Sequence, residues 1–455
     1  MSIRSLMRTA VLCALLAVPA GAQQSAEQRI EELEEQQKSM NEELRNLRQQ
    51  LEQKSPDAKV EEVERRQGIL TEELSRLREA FVLPESKALK SSYGLGPAAS
   101  KVYQLDRGLS IGGYGEFNFN AVVGDKDGNK SNFDYLRFIL YVGYKYNDWI
   151  VLNSEIEFEH ATSSSTVSAG DGSVSVEFAT LDFLLHPMAN VRAGLVLVPV
   201  GFINEIHEPP FYFGNTRPEV ERQILPTTWR SNGFGLFGEI VPGLEYRTYG
   251  LTSLNAEGFG SAGIRGGRQS GNRELAEDWS WVARLDYTVV PGALFGGSMY
   301  IGDQGQDEEY DGQERGAFMQ LYELHAQLEM YGFHWRGLIA VTDLDDARAL
   351  SVQRGQTIAD VMWGWYTEIA YDVMPWILDD SSQYLAPWFR YARLNTQDSV
   401  PNGFSPDKRQ DRQIIEVGLA YKPIPQVVLK LDYRNQDNAA GSEPDEVRIG
   451  AGFVF

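Results

Sequence analysis

From Leu109 to Phe455 apolar and polar residues alternate with a period of two. The first segment sets Leu109, Ile111, Gly113, Gly115, Phe117 and Phe119 against Ser110, Gly112, Tyr114, Glu116 and Asn118. The last sets Val447, Ile449, Ala451, Phe453 and Phe455 against Arg448, Gly450, Gly452 and Val454. Successive side chains of a strand point to opposite faces, so each segment reads as a strand with one apolar face. Fourteen further strands are predicted near 133–146, 149–161, 174–185, 190–199, 233–241, 244–253, 279–289, 293–302, 316–331, 333–342, 360–373, 383–396, 412–422 and 426–437. Sixteen is even, as a closed antiparallel barrel of one chain requires.

The connections alternate too. Short ones (Asn147-Asp148, His186–Asn190, Pro242-Gly243, Pro291-Gly292, Gly332, Pro375–Ser382, Pro423–Pro425) take turns with long polar ones such as Gly124–Ser131, Ser163–Gly172, Asn255–Asp278, Gln304–Arg315 and Asn395–Asp411. Short turns at one end and long loops at the other are the asymmetry of an outer-membrane barrel, with both termini on the short-turn side. Tyr144, Tyr146, Trp149, Trp279, Trp281, Trp335, Trp363, Trp365 and Trp376 fall near strand ends, where membrane interfaces collect aromatics. The predicted fold class is therefore all-β: a transmembrane antiparallel β-barrel of about 16 strands over residues 108–455.

Upstream the period changes to 3.5. Ile30, Leu33, Gln37, Met40, Leu44, Leu47 and Leu51 occupy the a and d positions of a heptad, and Val60, Val63, Gln67, Leu70, Leu74, Leu77 and Phe81 repeat them. Residues 23–83 are thus predicted as an α-helical coiled coil, broken at Ser55-Pro56-Asp57, as a hairpin or a register-shifted parallel coil. Residues 84–107 read as a linker. Arg4 and Arg8, the apolar run Ala10–Val18 and Pro19-Ala20-Gly21-Ala22 make residues 1–22 a signal peptide, so the mature chain is expected to begin at Gln23. Cys13, the sole cysteine, lies in its apolar part. Leu12 before it disfavours a lipoprotein site, and a cysteine-free mature chain suits export.

Bulk composition mainly excludes. A formal charge of −22 argues against nucleic acid as a partner. Mean hydropathy is −0.34, and beyond the N-terminus no apolar run is long enough for a membrane helix. Only a barrel crosses a membrane without such a run. The five histidines (His160, His186, His207, His325, His334) lack metal-ligand spacing, and no catalytic set stands out. No enzyme activity, cofactor or metal is expected, His207-Glu208 being only a weak metal candidate. The Gly-rich Gly258–Gly271 lacks the ending of a phosphate-cradling loop and reads as an extracellular loop.

The third long connection, about Gly201–Asn232, differs from the rest. It carries His207, Glu208, Arg217, Glu219, Glu221, Arg222, Trp229 and Arg230, stiffened by prolines at 209, 210, 218 and 226. Such a loop suits the barrel interior, where it would form a constriction and screen permeants by sign and size. Taking the polar face of each strand as lumen, the lining holds Arg137, Lys145, Arg192, Arg284, Arg336, Arg390, Lys430, Arg434 and Arg448 against acids that include Glu116, Glu155, Glu157, Glu159, Glu368 and Glu416. The two signs nearly balance, and most of these groups are expected to pair across strands.

The sixteen-strand layout, the distinctive third loop and C-terminal Phe455 resemble a general porin, and the heptad segment followed by Leu109-Ser110-Ile111-Gly112-Gly113-Tyr114-Gly115 resembles the phosphate-selective porin O/P family. That resemblance spans nearly the whole mature chain in organisation. It implies a homotrimer in outer-membrane lipid, passive uptake of small hydrophilic solutes or anions such as phosphate, a third-loop constriction and pore-lining arginines. It also implies delivery by the barrel assembly machinery through Phe455, with the helical segment in the periplasm. The alternative is a structural envelope anchor with a plugged barrel.

Overall fold

Sixteen strands close into one antiparallel ring. The computed structural model describes residues 90–123, 130–160, 172–379 and 381–455; the predicted signal peptide and heptad segment lie outside the described residues. In chain order the first nine strands are β1 Gly108–Val123, β2 Asn132–Lys145, β3 Ile150–Glu159, β4 Ser173–His186, β5 Ala189–Leu197, β6 Arg230–Val241, β7 Leu244–Thr252, β8 Trp279–Tyr287 and β9 Ala293–Gly302. After a small hairpin in a long loop (β10 Glu309–Tyr310, β11 Gln313–Glu314) come β12 Met319–Met330, β13 Phe333–Leu344, β14 Val361–Tyr371, β15 Tyr384–Ser399, β16 Asp411–Ile424, β17 Val427–Asn438 and β18 Asp445–Val454. Each barrel strand pairs with its chain neighbours, and β1 closes on β18 with Tyr114 opposite Val454. The Phe455 amide donates to Gly113 O at 2.8 Å and the Gly113 amide to Phe455 O at 3.0 Å, so the last residue helps seal the seam. A closed ring leaves no strand edge unpaired.

Alternation decides which side faces out. On β1, Leu109 and Ile111 are 59% and 57% exposed, whereas Tyr114 and Glu116 point inward and are 0% and 6% exposed. Leu181, Leu236, Phe295, Ile369, Val417, Leu431 and Ile449 continue the exposed apolar belt around the wall. Tyr144, Tyr146 and Trp149 stand at its short-turn end, with Trp279 and Trp281 toward the long loops. No helix among the described residues is long and apolar enough to cross a membrane. The turn between β12 and β13 is the tight Tyr331-Gly332 pair, with φ of 50° and 79°. Two successive positive φ values are what a two-residue hairpin between right-twisted strands demands, and glycine supplies the second without strain.

The interior is filled from both ends. Near the short turns, the chain from Ser92 through the 3-10 turn Ala99–Gln104 packs Leu95, Ala98 and Ala99 against Tyr114, Ile139, Tyr141 and Phe178 of the wall. Near the long loops, Leu254, Phe259 and Ile264 of the fourth loop, Tyr310 of the fifth, and Leu350 and Ile358 in and after the sixth loop's helix join a second cluster. The glycine-rich stretch from 258 to 271 thus does more than span a gap, because its Phe259 and Ile264 are buried. The sixth-loop helix, Ala347–Arg354, has no clear signal in the sequence: Asp346, in the left-handed region, precedes it and Gly355 ends it. Unboiled and boiled samples are expected to migrate differently on a denaturing gel, with a β-dominated circular dichroism spectrum in detergent; a mainly helical spectrum would contradict this fold.

Candidate functional site: the third loop and the barrel interior

Asn204 ties the two ends of the third loop together. Its side-chain amide donates to Val198 O (2.6 Å) and Trp229 O (2.8 Å), and its Oδ1 accepts from the Trp229 amide (2.6 Å). Between those ends the chain leaves β5 and crosses the interior to the wall on the far side, formed by β14 to β18. There the Asn215 amide and side chain donate to Asp432 of β17 (2.8 and 2.6 Å), and Arg448 of β18 donates to Thr216 Oγ1 (2.6 Å). Lys430 donates to Gly214 O at 2.9 Å and lies 3.7 Å from the centre of the Tyr212 ring. A short helix, α1 (Glu219–Gln223), follows Pro218, whose ring pre-sets the backbone at the helix start.

Each loop residue singled out by sequence has a definite place. Glu219 receives Arg222 (2.7 Å) from its own helix and Arg434 (3.1 Å) and Arg412 (3.2 Å) from the wall. Burial pushes its carboxyl up, but these three guanidiniums outweigh burial and hold it well below the usual carboxylate range. Glu221 accepts from the Tyr366 hydroxyl and the Ile203 amide, both at 2.6 Å. Glu208 accepts from the Ala98 amide at 3.0 Å and so joins the loop to the inserted N-terminal segment. His207 meets Glu155 on β3 and Glu177 on β4, and Arg230 pairs with Glu177 at 3.0 Å. Trp229 is fully buried, its ring 4.5 Å from that of Tyr300.

Arg217 stands apart. Its Nε and Nη2 are buried without a hydrogen-bond partner, and no carboxylate lies within ion-pair distance among the described residues. Arg265 and Arg268 of the fourth loop are close enough to feel it, and they donate only to backbone carbonyls of Arg222, Arg265, Thr227 and Thr228. Burial first, then Arg268, Arg222 and Arg217, pushes Arg265 down to about 9. Burial and then chiefly Arg230 pushes Arg268 down to about 10. Like charges are crowded here, and the nearest carboxylates, Glu159 and Glu177, are near enough to act on Arg265 and Arg268 but pair with Arg137 and Arg230 instead, an arrangement that an anion would relieve.

The strand residues predicted to line a lumen do point inward, but they pack rather than face open water. Arg137 bridges Glu116 (3.0 Å), Glu157 (3.1 Å) and Glu159 (3.3 Å); Arg390 joins Glu368 and Glu416, both at 2.6 Å. Arg448 spans Glu416 and Asp432, Arg336 approaches Glu368 at 3.8 Å, and Arg284 pairs with Asp286 at 2.8 Å. Lys145 donates to Leu105 O at 2.6 Å. Of the predicted lining, which also took in Glu329 and Asp372, Lys145, Glu159, Glu329 and Asp372 escape burial. Sequence reasoning missed Asp182, which grips Arg192 (2.7 Å), and the Glu205–Arg247 pair (3.2 Å), in which Arg247 also meets Asp286. A cavity of about 760 Å³ remains on the short-turn side, between Phe202, Tyr212 and Phe213 of the loop and wall residues such as Arg336 and Lys422.

No family model matches the chain. An uncharacterized protein of Aquifex aeolicus (strain VF5) is 34% identical over 387 residues, covering 82% of this chain and 86% of that protein. The chain belongs to that protein's family. Among solved structures, OmpF of Salmonella typhi in complex with daunomycin aligns with a TM-score of 0.50 at 12% identity, covering 77% of this chain and 98% of that one. The anion-selective porin from Comamonas acidovorans gives 0.46 at 10% identity, covering 77% and 100%. At 12% identity the likeness to OmpF is one of fold alone.

Replacing Arg390 by alanine is expected to lower stability by about 3–5 kcal/mol, because Glu368 and Glu416 would stay buried without it. Removing the exposed Arg409 beside Asp407 should leave the unfolding midpoint unchanged. Urea unfolding of the refolded barrel in vesicles checks both, and equal midpoints for the two variants would contradict the pairing scheme.

Proposed function

We propose that the chain is an outer-membrane porin, a passive channel for small hydrophilic solutes with a preference for anions such as phosphate. The observation that carries this reading is the third loop crossing the interior beside three arginines, Arg217, Arg265 and Arg268, that have no carboxylate partners among the described residues. An unpaired, partly desolvated guanidinium attracts oxyanions more strongly than a solvated one. The apolar outer belt suits outer-membrane lipid, and both termini on the short-turn side suit a helical segment in the periplasm. In the same reading the barrel assembles as a homotrimer, and Phe455 serves as the signal for the assembly machinery.

One observation favours a second reading, an envelope anchor with a plugged barrel: nearly all inward side chains of the wall are buried. Planar-bilayer recording separates the two. A channel is expected to give discrete steps with a reversal potential on the anion side in a salt gradient. Replacing Arg217, Arg265 and Arg268 by alanine should move that potential toward cations, most visibly at low salt where screening is weakest. Absence of conductance at any applied voltage would leave the anchor. Unchanged selectivity in the triple variant would remove these arginines from the path.

A further inference from the structure

His207 sits in an environment that an ordinary neutral histidine does not satisfy. Its side chain is 1% exposed and those of Glu155 and Glu177 are 0% exposed. The Nδ1 side faces the carbonyl oxygen of Asn204 at 3.2 Å. That carbonyl is held in place because Asn204 is fastened to both ends of the loop. A carbonyl accepts only, so Nδ1 carries the proton, and the Nε2 lone pair of a neutral ring would point at two carboxylate oxygens. Those oxygens are Glu155 Oε1 at 3.2 Å and Glu177 Oε2 at 3.4 Å.

The carboxylates have donor capacity to spare. Arg230 occupies Glu177 Oε1 at 3.0 Å, but Glu177 Oε2 and Glu155 Oε2 are buried with no hydrogen-bond partner. One donor atom from each of the three side chains lies within 4.8 Å of the others. A tetrahedral ion with bonds of about 2.0–2.1 Å has ligands about 3.3–3.4 Å apart, close to the two separations seen at Nε2. Charge agrees with the geometry. Glu157 and Glu208 stand near the same pair, and the counter-charges are Arg217, Arg230, the more distant Arg268 and an Arg137 already shared among three glutamates. A backbone carbonyl orienting the far nitrogen of an imidazole is the usual support for a metal-binding histidine.

We propose that Glu155, Glu177 and His207 bind one first-row divalent cation, zinc in the first instance, which clamps the third loop to β3 and β4. His207 Nε2, Glu177 Oε2 and Glu155 Oε1 supply three donors, and Glu155 Oε2 is free to supply a fourth. The clamp is independent of whether the barrel conducts. With imidazole and carboxylate oxygen but no thiolate, the set suits zinc or cobalt better than a softer cuprous ion.

The test uses the full chain, unfolded in chelator, refolded into detergent with zinc or cobalt, and freed of loose metal by gel filtration. Refolding in the presence of metal is needed because the site is closed to solvent. About one equivalent of zinc per chain is expected by elemental analysis, with cobalt giving the intense visible bands of a tetrahedral site. H207Q and E177Q should each lower the affinity at least tenfold. Less than a tenth of an equivalent in the wild type would overturn the proposal, leaving a protonated His207 between two carboxylates. So would a full equivalent that persists in both variants. Should neither variant fold, the cobalt spectrum of the wild type decides: the weak bands of a six-coordinate ion would overturn the assignment.

Discussion

Glu219, held between Arg412 and Arg434, fixes where the third loop ends its crossing, and the state of the interior depends on that fixture. Two arginines projecting into a wet lumen would repel each other and stay solvated. Given one buried carboxylate between them, they become the far anchor of a loop that starts on β5. Arg434 also reaches toward Glu416 at 3.7 Å, and Glu416 continues through Arg390 to Glu368 and through Arg448 to Asp432. The loop is thus tied into a chain of charges running across β14 to β18. Such a chain tolerates burial only because each member has a partner of opposite sign.

The same constraint explains why the interior carries charge of both signs. A ring of strands with an apolar outer face must place its polar half inside, and here the loops and the N-terminal segment then cover most of it. Every inward arginine has to find a carboxylate or a carbonyl. Among the described residues Arg217, Arg265 and Arg268 have no carboxylate paired with them, and they gather at one place where the third and fourth loops meet. In the proposed channel a mobile anion would supply the missing charge there. The histidine clamp on the β3–β4 side departs in the opposite sense, with more carboxylate oxygens than donors.

Most of the barrel is legible from period-two alternation and from turn chemistry, and the sixteen strand positions agree with the structure to within a few residues. What escaped has a physical cause in each case. Glu177 was missed because β4 carries a bulge: the register with β3 shifts at Glu155/Ile156, so Glu177 and Phe178 both face inward. The signal was present, since inward polar residues pass from odd numbers (Ser175, Glu177) to even ones (Thr180, Asp182) along the strand. The sixth-loop helix was missed because its eight residues are too few to declare a helical period. Partner choice within the charge ladder was not legible at all. Alternation places Arg390 and Glu416 on the same face, but only the register between β15 and β16 sets them opposite each other.

The crossing of the interior by the third loop is the claim on which the rest stands, and a designed disulfide tests it most directly. A β-carbon added at Gly364 on β14 would lie 3.0 Å from Cγ1 of Val220 in α1, the spacing a disulfide needs between one β-carbon and the far sulfur. Cys13 is the only cysteine of the sequence, so with Cys13→Ser in the same chain a Val220→Cys, Gly364→Cys pair would have no competitor. The account requires this pair to form an intramolecular disulfide in the folded barrel, seen as a reducible mobility shift on a non-reducing gel. A barrel that folds with both thiols free under oxidising conditions would contradict it.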